Sequence, residues 1–241
     1  MYRILCDSYV LYDPRLPDLF VFEPELTQKK NEPGELTFAI PKEHPHYGVM
    51  EKLKSRVKVY RDDTLIWAGR TIEDKRDLYE NRKVVVEGTL AFLLDSILRP
   101  FAMDSTAADV WQYILTQHNV QVNSNQRLGI GNCDLTGSIS IATKDYLSAW
   151  QVMKTCLLDS LGGYLIVRFD ENENPILDYL ANVPDTSTQR IEFGENLIDL
   201  VLSKNASETY TACVPLGASL KDIDPESESD ARLTIASVNE G

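Results

Sequence analysis

Along the first hundred residues, apolar side chains recur at every second position in short runs separated by turn-forming residues. Leu36, Phe38 and Ile40 alternate with Glu35, Thr37 and Ala39, the period of a strand buried on one side. Pro41 ends the run, because proline donates no ladder hydrogen bond. Tyr2 to Cys6 and Tyr9 to Tyr12 read as two strands with Asp7-Ser8 as their turn, and a further strand resumes around Leu19 to Phe22, after Pro14 and Pro17. Thr27 to Gly34 is a polar turn region. Val57 and Val59, then Leu65 and Trp67, flank the hairpin tip Arg61-Asp62-Asp63-Thr64. Gly48 to Leu53 is predicted to make one helical turn, Lys83 to Glu87 a strand, and Leu90, Leu93 and Leu94 a short apolar helical patch. Short strands divided by turn chemistry point to an antiparallel barrel or sandwich rather than a parallel sheet.

The period changes after Arg99-Pro100. Ser105 is placed to cap a helix carrying Ala107, Val110, Trp111, Ile114, Leu115 and His118 on one face, with Asn119 as its stop. A loop with Gly129 and Gly131 precedes a strand from Ser138 to Ala142. Asp145 is placed to cap a second helix whose buried stripe is Tyr146, Ala149, Trp150, Met153, Leu157 and Leu161, ending left-handed at Gly162-Gly163. Tyr164 to Phe169 and Ile176 to Leu180 form a hairpin around Asp170 to Pro175. Residues 101–189 thus read as a small inserted α/β domain of two helices and a hairpin. After the polar linker Val183 to Thr188 come an apolar return (Ile191, Phe193, Leu197, Ile198, Leu200, Leu202), a strand from Thr209 to Leu216, an exposed acidic loop from Lys221 to Asp230, and a strand from Arg232 to Ser237. The fold class is α+β: a mainly antiparallel β-barrel with an inserted small α/β domain.

Composition narrows the function. Of the 241 residues, 43% are hydrophobic and 25% charged, enough for a sizeable core and unlike a disordered chain. The formal charge of −13 argues against a surface that grips DNA, since phosphate contacts need Lys and Arg. No apolar run reaches the roughly 20 residues of a membrane helix, and MYRILCDSYVLYD lacks the basic flank and apolar stretch of a signal peptide. The expectation is a soluble protein made in the cytoplasm.

Candidate chemistry is sparse. His44-Pro45-His46 puts two imidazoles on one extended segment, but a stable metal site needs more than two ligands and His118 lies far away, so a solvated loop is expected. Cys6, Cys133, Cys156 and Cys213 are scattered in apolar or small-residue contexts, which predicts buried reduced thiols rather than a cysteine–histidine nucleophile. There is no GxSxG, HExxH or H-x-E pattern. Gly129-Ile130-Gly131-Asn132 is too short for a dinucleotide or phosphate loop and reads as a turn. Trp67, Trp111 and Trp150 sit at apolar positions of a strand and two helices, so core packing is expected over sugar stacking. No catalytic, cofactor-binding or metal-binding residue is assigned.

ELTFAIPKEHPHY, then VKVYRDDTLIWAGR, then VVVEGTLAFLLDS resemble, in order and spacing, the N-terminal region of the phage minor structural protein family. That family is also called prophage endopeptidase tail, or the tail-associated baseplate hub of phages of Gram-positive bacteria. In that family an "f.iP" strand precedes a "v.v" hairpin ending in "f.G", and a "v..EG.l..L.Ds" segment follows. DVWQYILTQHN, LGIGN, YLSAWQVMKTCLLDSLGGYLIVR and ILDYL resemble its second block, with a "qhN" helix end, a glycine loop and a "GGyl.ir" hairpin.

The resemblance implies a structural subunit of a phage or prophage tail tip or baseplate hub. Its homotrimer would form a ring that closes or continues the tail tube and anchors C-terminal host-interaction or lytic modules. The implied partners are the distal tail protein, the tape measure protein and the tail tube, with DNA passing through without specific binding. A first barrel would use residues 1–100, completed by part of 190–220. Residues 190–241 would supply the return strands and the start of a truncated second barrel, RLTIASVNEG being either a cut domain or a short natural version. Two other readings are a peptidoglycan-degrading tail endopeptidase or lysin, and a cell-wall or receptor-binding module. No catalytic residue carries over to this sequence, and no enzymatic activity is expected.

Overall fold

A computed structural model of the protein describes residues 1–183. These lie in the first, Met1–Thr186, of two units into which the chain divides, the second being Ser187–Gly241. The expected apolar return, acidic loop, second barrel and final strands, the barrel-completing segment 190–220 and Cys213 therefore fall outside the described residues, as does most of the linker.

Seven strands form one antiparallel sheet: β1 (Tyr2–Cys6), β2 (Tyr9–Tyr12), β3 (Phe22–Thr27), β4 (Glu35–Ile40), β5 (Arg56–Arg61), β6 (Thr64–Arg76) and β7 (Arg82–Gly88). Their order is β2-β1-β5-β6-β7-β4-β3. The sheet curls into a half barrel, and the pairing of β6 accounts for the bend. Its first half pairs with β5 (Val57↔Gly69, Arg61↔Thr64) and its second with β7 (Gly69↔Gly88, Arg76↔Arg82), with register shifts on each side. Such bulges increase local twist. The alternating positions read from the sequence fill the inside of the curl: Leu36, Phe38 and Ile40 are buried with Ile4, Val57, Val59, Trp67, Val84 and Val86. The Asp62-Asp63 turn, the Asp7-Ser8 turn and the end of β4 before Pro41 stand where the pattern put them.

Two glycines of the motifs face each other across β6 and β7. A methyl on Gly69 would lie 2.1 Å from the Glu87 carbonyl oxygen, and one on Gly88 1.8 Å from that of Pro33, both against the Trp67 indole. The backbones approach too closely there for any Cβ.

Two expectations in this half are corrected. The strand placed at Leu19 to Phe22 begins only at Phe22, because residues 13–19 are held in successive turns (Leu16 N–H to Asp13 O, Leu19 N–H to Leu16 O) around Pro14 and Pro17. Gly48 to Leu53 forms irregular turns instead of a helical one. Leu53 adopts φ +60°, and its amide is taken by the Thr71 carbonyl of β6 at 2.8 Å.

A 3-10 turn, Thr89–Leu94, leads out of the sheet and buries Leu90 and Leu93 in a second core. Around that core lie β8 (Ile97–Leu98), β9 (Ala102–Thr106), α1 (Ala107–Gln121), β10 (Gly129–Cys133), β11 (Ser138–Ala142), β12 (Leu147–Ser148), a helix α2 over 149–161, β13 (Tyr164–Phe169) and β14 (Pro175–Leu180). β13 pairs antiparallel with β14, β10 runs parallel to β14, β9 pairs with β11 and β8 with β12. All six residues read as the inner face of α1 are buried.

The helix ends differ from expectation. Thr106, not Ser105, caps α1, in a capping box with Asp109. The helix runs past Asn119 to Gln121, and the Asn119 side chain instead clasps both backbone groups of Leu128 (2.9 and 2.7 Å). Ser148, boxed by Gln151, caps α2 in place of Asp145. Tyr146 is therefore outside the helix and 69% exposed. Its middle is π-helical over Met153–Leu158, before Gly162 and Gly163 end it at φ +72° and +87°. Gly129 to Asn132, expected as a loop, belongs to β10. A Cβ on Gly131 would fall 1.9 Å from Asp178 Oδ1, so glycine lets β10 lie tight against β14. Among the described residues no helix is long and apolar enough to cross a membrane.

Candidate functional site

The residues most open to a catalytic or metal reading are all held by backbone or by the core. His44, expected in a solvated loop, is buried. Its Nδ1 accepts the His46 amide at 3.0 Å, which leaves Nε2 to donate to the Leu11 carbonyl at 2.8 Å. His118 is fully buried: Nε2 donates to the Gln126 carbonyl (3.1 Å) and Nδ1 accepts from Ser96 Oγ (2.8 Å). Burial holds both imidazoles below the usual histidine pKa, so both are neutral ties between segments. Cys6 is buried and its thiol is pushed up to about 11 by desolvation. Burial also raises Cys133, which is half-buried like Cys156. Such thiols are poor nucleophiles. Among the described residues no three His, Cys, Asp or Glu side chains converge as a metal site. Trp67 and Trp111 are buried, and Trp150 packs against the second core.

The structure assembles instead a joint between the half barrel and the second core. Glu173, at the tip of the β13–β14 hairpin, reaches the outward side of β5. Its carboxylate accepts from Lys58 Nζ at 2.5 Å and from the Tyr60 hydroxyl, and its carbonyl accepts from Arg56 Nη2 at 2.6 Å. The hydrogen bonds from Lys58, then Tyr60, hold the Glu173 carboxyl below the usual range, while burial, then this acceptor, raises the Tyr60 phenol. The Arg56 guanidinium lies over the Phe169 ring. A second tie is Arg70, which donates to Glu87 (2.6 Å) and in a fork to Asp95, itself bonded by Gln126 at 2.7 Å. A third is Asn31, at φ +54°, whose amide group clasps the Gly163 carbonyl (3.0 Å) and the Leu165 amide (2.8 Å). These ties at three separate points, two of them charge-assisted, oppose movement of one core against the other.

The other notable surface is a recess of about 550 Å³ on the inner side of the curl, between the edges β2 and β3. Tyr2, Ile4, Tyr12, Leu26 and Val59 line it, and Arg61 stands at its rim. It is mainly apolar and holds one charged group, which suits packing more than bond-breaking chemistry.

No protein-family model matches the sequence, and comparison with curated proteins finds no match. Solved structures do match. A tail protein from Neisseria meningitidis superposes with a TM-score of 0.51 at 10% identity, over 73% of this chain and 50% of that one. This chain has the fold of a tail protein. The reading drawn from the sequence motifs agrees with that fold. Further matches are a prophage tail protein from Listeria monocytogenes (TM-score 0.47, 12% identity, 73% of this chain and 50% of that) and a 43 kDa prophage tail protein from Shewanella oneidensis (0.49, 11%, 73% and 52%). The chain spans about half the length of each.

Sequence reasoning missed the joint. Glu173, Asn31 and Arg70 each stood in a segment read only as turn, or as strand with no role assigned. One signal was available for Glu173: the loops DLYEN (77–81) and DENEN (170–174) share the pattern Asp-x-x-Glu-Asn.

Proposed function

We propose that this protein is a structural subunit of a phage or prophage tail tip or baseplate hub, three copies of which form a ring that closes or continues the tail tube. The observation that carries this reading is the fold shared with a tail protein over 73% of the chain. The tied joint between the two cores supports it, since a tube-closing part must transmit load without yielding. In this reading residues 1–100 serve as the first barrel and 101–189 as its inserted domain. The distal tail protein, the tape measure protein and the tail tube are neighbours, and the subunit anchors C-terminal host-interaction or lytic modules. The net charge of −13 would let DNA pass without sticking.

Light scattering over a wide concentration range tests the proposal. The expected mass is about 82 kDa, three times the 27.2 kDa of the chain. A strict monomer, alone and when mixed with tail-tip proteins, would refute it. Cleavage of purified cell wall by this chain would favour the endopeptidase reading, and retention on wall material without cleavage the binding-module reading.

A further inference from the structure

Two hairpins of this chain are closed by the same five-residue loop. Asp77 to Asn81 joins β6 to β7, and Asp170 to Asn174 joins β13 to β14. In the first, Asp77 Oδ1 accepts the Tyr79 and Asn81 amides (both 2.8 Å) and Oδ2 accepts Asn81 Nδ2 (2.8 Å). In the second, Asp170 Oδ1 accepts the Asn172 and Asn174 amides (2.9 and 2.7 Å) and Oδ2 accepts Asn174 Nδ2 (3.0 Å). Glu80 and Glu173 occupy the same left-handed position, at φ +62° and +61°. The loops differ in what their glutamate meets. The Glu173 carboxylate docks on β5. The Glu80 carboxylate stays in solvent beside Lys42, its carbonyl accepts the Tyr47 hydroxyl at 2.6 Å, and Leu78 and Tyr79 next to it are exposed. The loop thus keeps its form whether or not the glutamate side chain is docked, because the aspartate at its start supplies the internal bonds. Releasing Glu173 from β5 therefore requires no refolding of its loop.

The joint that this loop closes is incompletely filled. The two hydrophobic cores share no buried residue, and among the described residues the chain crosses between them once, through 89–97. A cleft of about 290 Å³ runs along β13 between them. Ile66 and Trp67 of β6 line one wall, and Leu165, Val167 and Phe169 of β13 the other. Protein interiors leave few voids larger than a water molecule, so the cores meet along this line without interlocking. The ties stand at the two ends of β13. At its start Asn31 clasps Gly163 and Leu165, and the Lys30 ammonium lies 4.1 Å from the Tyr164 ring centroid. Just past its end Glu173 docks on Lys58 and Tyr60. The Arg70–Asp95 pair lies instead beside the covalent crossing, where it marks a pivot. Two units joined by polar contacts rather than by a broad apolar interface move relative to each other by default.

We propose that Glu173 and Asn31 are two releasable latches on one hinge. With both made, the joint is stiff; with both released, the second core swings about residues 94–98 and the cleft along β13 opens. This goes beyond the tail reading and concerns a single chain, so it stands or falls apart from assembly. Hydroxyl-radical footprinting of the full chain, read by mass spectrometry, tests it through the exposure of individual side chains. Trp67 and Leu165, on opposite walls of the cleft and 5% and 7% exposed, are the reporters. Phe38 in the first core and Trp111 in the second are the references. The latch variant is Asn31→Gly with Glu173→Gly, which removes both side chains and suits the left-handed backbone at each position (φ +54° and +61°). Glu80→Gly makes the same change in the loop whose carboxylate is not docked and serves as the control. Oxidation of Trp67 and Leu165 should rise roughly threefold or more in the latch variant through local opening, less in either single variant and not at all in Glu80→Gly, with Phe38 and Trp111 unchanged throughout. If Trp67 and Leu165 stay as protected as in the unaltered chain, or rise equally in Glu80→Gly, the latches do not hold the cleft and the inference falls. If Phe38 and Trp111 rise in the same proportion, the variant loosens the cores rather than the joint, and the inference falls as well.

Discussion

The two Asp-x-x-Glu-Asn loops permit one substitution to be made twice in the same backbone setting. Glu80→Gly and Glu173→Gly both relieve a left-handed residue, which costs a non-glycine about 1–2 kcal/mol. Both also give back about 0.4–1 kcal/mol through the greater freedom of glycine in the unfolded chain. The backbone effect alone is therefore a gain of about 0.5–1 kcal/mol in each loop. The carboxylates differ. That of Glu80 is largely exposed, with Lys42 3.8 Å away, a pair worth roughly 0–0.5 kcal/mol. That of Glu173, 35% exposed, accepts two charge-assisted bonds of about 1.5 kcal/mol each before discounting for solvent, or about 2 kcal/mol together. Glu80→Gly should thus be neutral to about 1 kcal/mol stabilising, and Glu173→Gly about 1–2 kcal/mol destabilising. At about 2–4 °C per kcal/mol for a chain of this size, thermal melts followed by circular dichroism should move in opposite directions for the two variants. Equal shifts would mean that the Glu173 contact with Lys58 and Tyr60 contributes nothing to stability.

Four further outcomes follow from the structure. The folded pKa of Glu173 is depressed, so its contribution is present above the unfolded glutamate value of about 4.3 and is lost as pH falls through the lower folded value; Glu173→Gln should flatten the acid limb of the melting temperature. His44 and His118 are also depressed, so as pH falls below about 6.5 the unfolded chain takes up protons that the folded chain refuses. Melting temperature should therefore drop between pH 7.5 and 5.5, and less steeply in His118→Gln. Ser96→Ala leaves the buried His118 Nδ1 without a donor and should cost about 1–2 kcal/mol, measured by urea unfolding. Gly88→Ala forces a methyl against the Pro33 carbonyl and should cost roughly 1–3 kcal/mol, with a change in near-ultraviolet dichroism from the displaced Trp67.

What the sequence made legible depended on whether a local rule and a tertiary demand coincided. The period-2 runs of β4, β5 and β7 and the inner face of α1 were readable because one face of each is buried, and burial selects apolar residues at a fixed spacing. Helix ends were readable only to within a few residues. Ser105 and Asp145 are good caps by type, but both lie in segments that the fold uses before the helix begins: Ser105 pairs within β9, and the chain pairs at Leu147-Ser148 before turning. The Glu173 joint and the apolar recess were not readable, since both depend on elements far apart in sequence.

The fragments that carry the family resemblance have a physical content that the sequence alone did not reveal. Gly69 and Gly88, from the "f.G" and "EG" fragments, are the point where β6 changes partners from β5 to β7. His118 and Asn119, from "qhN", both leave α1 to fasten the segment 126–128. Leu165, in the "GGyl.ir" hairpin, receives Asn31 from the first half. Each thus marks a place where two backbones cross or two segments are tied, not a place where a reactive group is exposed. Substitutions at such positions should therefore lower stability, which thermal melts followed by circular dichroism would register.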